Sequence, residues 1–303
     1  MTPPPATWGS VLDEAAAALT PVVGDRAGVE ARWIVCEASG FDPAELVLAA
    51  DEPVPSRGVH AVDDMVGRRL RGEPLQYVLG SWEFHGIDLM VDPRVLIPRP
   101  ETEVVAGIAI DELARAGART GKANPWSAGV TEYAIVDLGT GSGALALALV
   151  TALPDAAVWA TDASEDALAV ARANLSSIGF AATRVRLVHG DWFDALPLEL
   201  RGELRLVVSN PPYVSEAEFA ELPSDVAAYE PTRALVSGPT GLECLEVIVR
   251  DAPEWLGPDG VLVCEHAPHQ ADAVRELARA AGFTRVDVRP DLTGRDRALV
   301  ASR

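Results

Sequence analysis

The sequence predicts an α/β protein, a doubly wound sheet preceded by a small helical region and a β-hairpin. Three observations predict it. Before about residue 76, apolar residues recur at spacings of three and four, the period of helices with one buried face. Ser81-Trp82-Glu83-Phe84-His85 and Ile87-Asp88-Leu89-Met90-Val91 alternate around Gly86, which is a hairpin pattern. From about Glu101 onward, helix-like and strand-like segments follow one another in turn, as a doubly wound sheet requires.

Taken in order, the first helices are expected at Val11–Leu19, Glu30–Glu37, Pro43–Ala50 and His60–Arg71. The basic run Arg68-Arg69-Leu70-Arg71 on the last of these reads as a solvated face. After the hairpin, Asp92-Pro93-Arg94 turns the chain toward Ile97-Pro98-Arg99-Pro100. Gly117–Val130 is polar and rich in breakers, and it reads as a surface insertion. Strands are expected at Ala134–Leu138, Ala157–Thr161, Val185–His189, Leu204–Ser209, Val261–Glu265, Arg285–Val288 and Ala298–Ala301. Helix-like runs at Ala144–Leu149 and Glu165–Leu175 lie between the early strands. The organisation is therefore a helical region over 1–76, a hairpin linker over 77–97 and a doubly wound domain over 98–303.

Composition narrows the function classes. At 303 residues the chain can bury a large core in two domains. The net charge is −20, and a single lysine, Lys122, leaves nearly all basic charge to arginine. That acidity argues against wrapping a nucleic-acid backbone, which needs clustered cations. Although 49% of residues are hydrophobic, every long apolar run is broken by charge, proline or glycine, so no membrane span is expected. Met1-Thr2-Pro3-Pro4-Pro5 offers neither the basic nor the apolar region of a signal peptide. Cys36, Cys244 and Cys264 are odd in number and lack C-x-x-C spacing, so neither a disulfide framework nor a metal site is expected.

Two stretches carry chemistry. Asn210-Pro211-Pro212-Tyr213 follows the strand Leu204–Ser209 directly. Paired prolines end a strand and withdraw two N–H donors, while their carbonyls stay free to accept. With the Asn210 carbonyl oxygen and the Tyr213 ring, they form an acceptor pocket suited to a planar –NH2 group of a carboxamide or nucleobase. Upstream, the strand Ala134–Leu138 runs into Gly139-Thr140-Gly141-Ser142-Gly143 and then a helix. Strand, glycine turn and helix bring backbone close to a nucleotide-like ligand. Gly139, Gly141 and Ala144 also fit the looser dinucleotide fingerprint, so this loop leaves nicotinamide and S-adenosylmethionine both open. Asp162 lies 19 residues beyond Gly143 at the end of the next strand, placed either to accept from ribose hydroxyls or to cap the following helix. Asp191 and Trp192 end the strand after that, as an adenine acceptor and cover or as a loop acid beside a core ring.

Several blocks in fixed order resemble the protein-(glutamine-N5) methyltransferases of the HemK/PrmC type. They are Gly72–Gly80, Leu96–Glu103, Asp137–Gly143, Gly190–Phe193, Asn210–Tyr213, Glu230-Pro231 and Gly294–Arg297. The likeness covers most of the chain from Gly72 onward. It implies a Rossmann-like class I fold with a seven-stranded, mostly parallel sheet, its last strand inserted antiparallel, and a small helical N-terminal domain that docks substrate. It further implies methyl transfer from S-adenosylmethionine, leaving S-adenosylhomocysteine, to the glutamine of the Gly-Gly-Gln motif in class 1 peptide chain release factors, in the cytoplasm. By resemblance, Gly139, Thr140, Gly141, Ser142 and Gly143 line the methionine and ribose part of the cofactor, Asp162 holds the ribose, and Asp191 and Trp192 flank the adenine. Asn210 touches cofactor and substrate. Pro211, Pro212 and Tyr213 complete the substrate pocket, with Asn210, Pro211 and Tyr213 carrying catalysis. No metal is called for.

An amide nitrogen is a poor nucleophile, so the residues are expected to align and stabilise it rather than deprotonate it. Arg99, Glu101 and Glu103 can order the cofactor's amino-acid end or simply open a helix. Two other classes fit the same pockets: a nucleobase methyltransferase, and a non-catalytic cofactor-binding protein. A dehydrogenase fits less well, since nothing else resembles a hydride-transfer site.

Overall fold

A computed structural model describes residues 6–120 and 133–303, with backbone only for 116–120. It divides into two compact units. The first is Met1–Ser81 with Pro223–Tyr229, and the second is Trp82–Leu222 with Glu230–Arg303.

The first unit is helical: α1 Trp8–Val23, α2 Ala27–Ser39, α3 Pro43–Leu48, α4 Ser56–Leu70 and α5 Leu75–Leu79. Thr7 and Asp42 close capping boxes with Ser10 and Glu45, satisfying the first-turn N–H groups of α1 and α3. Leu19, Ala31, Ile34 and Val62 form the core, and Trp8 meets Phe41 edge-on at 5.8 Å. The run Arg68–Arg71 departs from its expected solvated face. Arg69 is buried and its Nε donates to Glu30 Oε2 at 2.7 Å. Arg68 forks onto Glu73 and the carbonyls of Tyr77 and Val78. These carbonyls exist as targets because α5, absent from the periodicity reading, turns the chain back at Pro74. Tyr229, from the second segment of this unit, donates its hydroxyl to the Arg71 carbonyl at 3.0 Å.

The second unit opens with the hairpin β1 Ser81–Phe84 and β2 Ile87–Met90, whose first residue still belongs to the first unit. There follow α6 Pro100–Thr120, β3 Tyr133–Leu138, α7 Ala144–Ala152, β4 Ala156–Asp162, α8 Glu165–Leu175, β5 Val185–His189 and β6 Leu204–Ser209. Then come β7 Val214–Ser215, α9 Glu216–Phe219, the first unit's α10 Ser224–Tyr229, α11 Thr232–Leu235 and β8 Val236–Gly238. The chain ends with α12 Glu243–Trp255, β9 Leu256–Glu265, α13 Ala271–Ala280, β10 Arg285–Pro290 and β11 Asp296–Ser302. Of the expected insertion, residues 117–120 continue α6 and the remainder lies outside the described residues.

The main sheet has seven strands in the order β10-β11-β9-β6-β3-β4-β5, with β11 antiparallel to both neighbours. Its two faces are built by the period-two pleat. Ile135, Val261, Val263 and Val300 point to one layer with α6 and α7. Val136, Leu262, Cys264 and Leu299 point to the other, with α12 and α13. The strands are apolar on both sides because helices cover both sides. The chain runs outward from β3 through β4 to β5, then returns to β6 on the other flank of β3. That reversal leaves a crevice beyond the carboxyl ends of the central strands, the usual ligand position in this topology. Among the described residues, no helix is long and apolar enough to cross a membrane.

Candidate active site

Four loops reach that crevice, one from the end of each of β3, β4, β5 and β6. The first is shaped by backbone hydrogen bonds. Gly139 N and Thr140 N both donate to the Thr161 carbonyl at 2.9 Å, tying the loop to the end of β4. Gly141 N donates to Asp162 Oδ2 at 2.9 Å, and Ser164 N donates to Asp162 Oδ1 at 2.8 Å. Asp162 is therefore not the helix cap: Ser164 caps α8. The glycines are required locally. Gly139 has φ +71°, and a Cβ there would stand 3.3 Å from the Trp192 ring. Gly141 has φ +56° and faces open space, so any side chain would fill the crevice. Trp192 itself has φ +41°, a costly conformation for a bulky residue, and it brings the ring to the loop.

The crevice encloses a cavity of about 300 Å³. Asn210 and Pro212 line it from the end of β6, Gly139, Thr140, Gly141 and Ser142 from the end of β3, and Asp162, Asp191 and Trp192 from the ends of β4 and β5. Gly143, Pro211 and Tyr213 are expected site residues that do not line it. Gly143 caps α7, Pro211 is buried, and Tyr213 packs against the core below. The lining also includes Arg94, Thr102, Asp137, Arg233 and Cys244, to which no role attached in the sequence. Arg99, Glu101 and Glu103 do not line it. Arg99 pairs with the buried Glu230, which also accepts from Ile97 N, and Glu101 faces Arg295 at 3.5 Å.

Burial sets the charges. Asp137 lies wholly inside. Its Oδ2 accepts from the Thr140 hydroxyl at 2.6 Å and Ala146 N at 3.1 Å, while Oδ1 has no partner among the described residues. Desolvation outweighs those bonds and raises its carboxyl to about 7. Desolvation also raises Asp162, against the backbone donors of Gly141 and Ser164 and the field of Arg233. Cys244 is likewise pushed up by burial, so its thiol stays protonated and weakly nucleophilic.

The acceptor end rests on residues far apart in sequence. Asn210 Nδ2 donates to Thr102 Oγ1 at 3.1 Å. The Thr102 hydroxyl donates to Glu265 Oε2 at 2.7 Å, and the Tyr213 hydroxyl donates to Glu265 Oε1 at 3.1 Å. Glu265 is buried at the end of β9, and burial raises its carboxyl against the Thr102 hydroxyl and the field of the buried Arg297; burial likewise pushes the Tyr213 phenol up. With Nδ2 committed, Asn210 Oδ1 is left as an acceptor with no donor bonded to it among the described residues. Behind it, Gln270 Nε2 donates to the Tyr213 carbonyl at 2.9 Å, and Ser209 Oγ donates to the Leu138 carbonyl at 2.6 Å. Asn174 performs a similar service for the glycine loop. Its Nδ2 donates to the Ser142 and Met90 carbonyls at 2.9 and 3.0 Å, and its Oδ1 accepts from Met90 N at 2.7 Å. Sequence reading missed Asn174, Thr102 and Glu265. Thr102 lies within Leu96–Glu103, but nothing in its neighbours marks it above the charged residues beside it.

Comparison with known proteins places this architecture. The family model of the PrmC N-terminal domain matches residues 10–80, and that of the methyltransferase small domain matches residues 127–225. The chain is 38% identical over 299 residues to the release factor glutamine methyltransferase of Moorella thermoacetica, covering 98% of this chain and 99% of that one. It is 36% identical to that of Geobacter sulfurreducens, covering 99% and 98%, and 37% identical to that of Neisseria gonorrhoeae, covering 89% and 91%. Among solved structures, the hMettl16 catalytic domain matches with TM-score 0.54 at 15% identity over 81% of this chain and 80% of that one, which shows the shared class I methyltransferase fold. A second, the N-terminal domain of human METTL16 in complex with SAH, has TM-score 0.50 at 16% identity, covering 79% and 83%. With the two family models in order along the chain and full-length relatives above 35% identity, the chain belongs to the release factor glutamine methyltransferase family.

Proposed function

We propose that this protein transfers a methyl group from S-adenosylmethionine to the side-chain N5 of the glutamine in the Gly-Gly-Gln motif of class 1 peptide release factors, in the cytoplasm where those factors act. The observation that carries the reading is the orientation of Asn210: its –NH2 is held by Thr102, so its carbonyl oxygen is presented to a cavity shared with the glycine loop. An acceptor at that place selects a group that has N–H to give.

The cavity suits the donor. Asp137 Oδ1, buried and unpartnered, and the remaining lone pairs of Asp162 accept from amino and hydroxyl groups, and the open space at Gly141 admits them. When bound, S-adenosylmethionine supplies a methyl on a sulfonium, leaving as neutral S-adenosylhomocysteine while the new carbon–nitrogen bond forms and the amide gives up one proton to water. The chain's own work is alignment. Asn210 Oδ1 accepts from an amide N–H and stabilises the positive charge that grows on nitrogen, while Pro211, which does not line the cavity, fixes the backbone that carries Asn210. Pro212 walls the pocket, and Tyr213 braces it from behind through Glu265. Gly143 keeps the loop register at the head of α7. Holding reactants in line is worth up to roughly 7–11 kcal/mol in favourable cases. The helical first unit is the docking module for the protein substrate under this reading, with 1–76, 77–97 and 98–303 as the working division.

The test is incubation with labelled cofactor of purified release factor, DNA and ribosomal RNA in parallel, followed by mass spectrometry of the Gly-Gly-Gln peptide. One methyl on that glutamine is the expected result. Label in nucleic acid alone would overturn the reading in favour of a nucleobase substrate.

A further inference from the structure

Glu265 lies outside every block that carries the family resemblance and Thr102 lies inside Leu96–Glu103 with no role attached to it, yet the two decide which end of the Asn210 amide faces the cavity. We infer that Glu265 is a positioning residue: through the single hydroxyl proton of Thr102 it sets the polarity of the Asn210 side chain, and so makes the site accept from an –NH2 group and refuse a bare acceptor. The inference rests on the functional reading above for its substrate, and on geometry alone for the relay.

Both Glu265 oxygens accept, Oε2 from the Thr102 hydroxyl at 2.7 Å and Oε1 from the Tyr213 hydroxyl at 3.1 Å, so at the Thr102 contact the hydroxyl is the donor. A hydroxyl has one proton. Once it points to Glu265, Thr102 can only accept from Asn210, and at 3.1 Å it meets Nδ2. The amide then has one remaining orientation, carbonyl outward. Each link is sheltered: Glu265 is 1% exposed and Thr102 3% exposed, so water does not compete for either partner. Tyr213 donates to the second carboxylate oxygen, and the field of the buried Arg297, which itself pairs with Asp291 at 3.5 Å, acts against the rise that burial imposes on Glu265. A neutral amide in place of Glu265 removes the constraint. Its –NH2 can donate to Thr102, whose proton then turns to Asn210 and favours the flipped amide. The flipped side chain presents –NH2 to a substrate –NH2, and two donors face each other with no acceptor between them.

The experiment uses the full chain with Glu265→Gln, Thr102→Val and Thr102→Ser, measured with release factor as substrate. Glu265→Gln and Thr102→Val are expected to lower kcat by roughly 100-fold, the scale of a lost transition-state hydrogen bond, with KM and cofactor affinity by calorimetry within about threefold. Thr102→Ser keeps the hydroxyl and is expected within about threefold of wild type in all three. Wild-type kcat in either Glu265→Gln or Thr102→Val overturns the inference. So does equal damage in Thr102→Ser and Thr102→Val, which would make Thr102 a packing residue. A second readout needs neither substrate nor turnover. The Asn210 side-chain amide resonance, identified by its loss in Asn210→Ser, should exchange slowly with deuterated water in wild type and Thr102→Ser and rapidly in Thr102→Val. Equal exchange in all three would also sink the relay. If Glu265→Gln does not fold, the threonine pair and the exchange measurement still decide. A wild-type protein that leaves release factor unmethylated counts against the functional reading, and the exchange result then stands for the relay by itself.

Discussion

The two ends of the cavity are built by different means. At the glycine-loop end, Gly139, Thr140, Gly141 and Asp162 are tied by backbone N–H groups between the ends of the adjacent strands β3 and β4, with Asn174 of α8 holding the Ser142 carbonyl. At the acceptor end, Asn210 depends on Thr102 and Glu265, 108 residues before it and 55 after it. The first end is a property of local chain geometry. The second exists only when α6, β6 and β9 are packed side by side. A locally built end tolerates change elsewhere in the fold, whereas a side-chain relay fails when any member changes its hydrogen-bonding sense.

The largest effect expected is at the local end. Gly141→Val should abolish cofactor binding by calorimetry, since the side chain projects into the cavity from a left-handed backbone; unchanged affinity would mean the ligand sits elsewhere. Next, Asn210→Ala should leave cofactor affinity within about tenfold and lower methyl transfer at least roughly 100-fold, which separates the two ends functionally. Equal loss in both quantities would merge them. Asn174→Ala should then lower unfolding stability by about 2–4 kcal/mol, because Met90 N and the Met90 and Ser142 carbonyls lose a buried partner together. Denaturant titration that showed no change would detach the hairpin from the loop's support.

The smallest effect is one of pH. The folded protein holds the Asp137 proton up to about 7, against 3.8 for the free group. A raised carboxyl contributes its stability fully below 3.8 and loses it as pH climbs to 7. Asp137→Asn does not titrate. Wild type should therefore lose about 2–3 kcal/mol relative to that variant between pH 5 and pH 8 in the ligand-free state, by urea unfolding at each pH. A constant difference would place the Asp137 carboxyl at its ordinary value.

Legibility followed the same division. Val185–His189, Leu204–Ser209 and Glu165–Leu175 form over the ranges their periodicity predicts, because a buried face imposes its period on the residues that make it. The glycine loop and Asp162 were legible because each ends a strand whose apolar run is itself legible, and the two strands are neighbours in the sheet. The five-residue α5 was not, since it is too short to show a period, and the inward turn of Arg69 depended on Glu30.

From the amino-acid order alone came the alternation of elements, the loop that needs glycine and the acceptor motif that needs proline, all consequences of steric limits acting within a few residues. Tertiary structure alone decided which polar side chains meet in the buried end of the cavity. Thr102 and Glu265 are ordinary residues in their own segments. They acquire direction only where burial removes water and leaves each proton a single place to go.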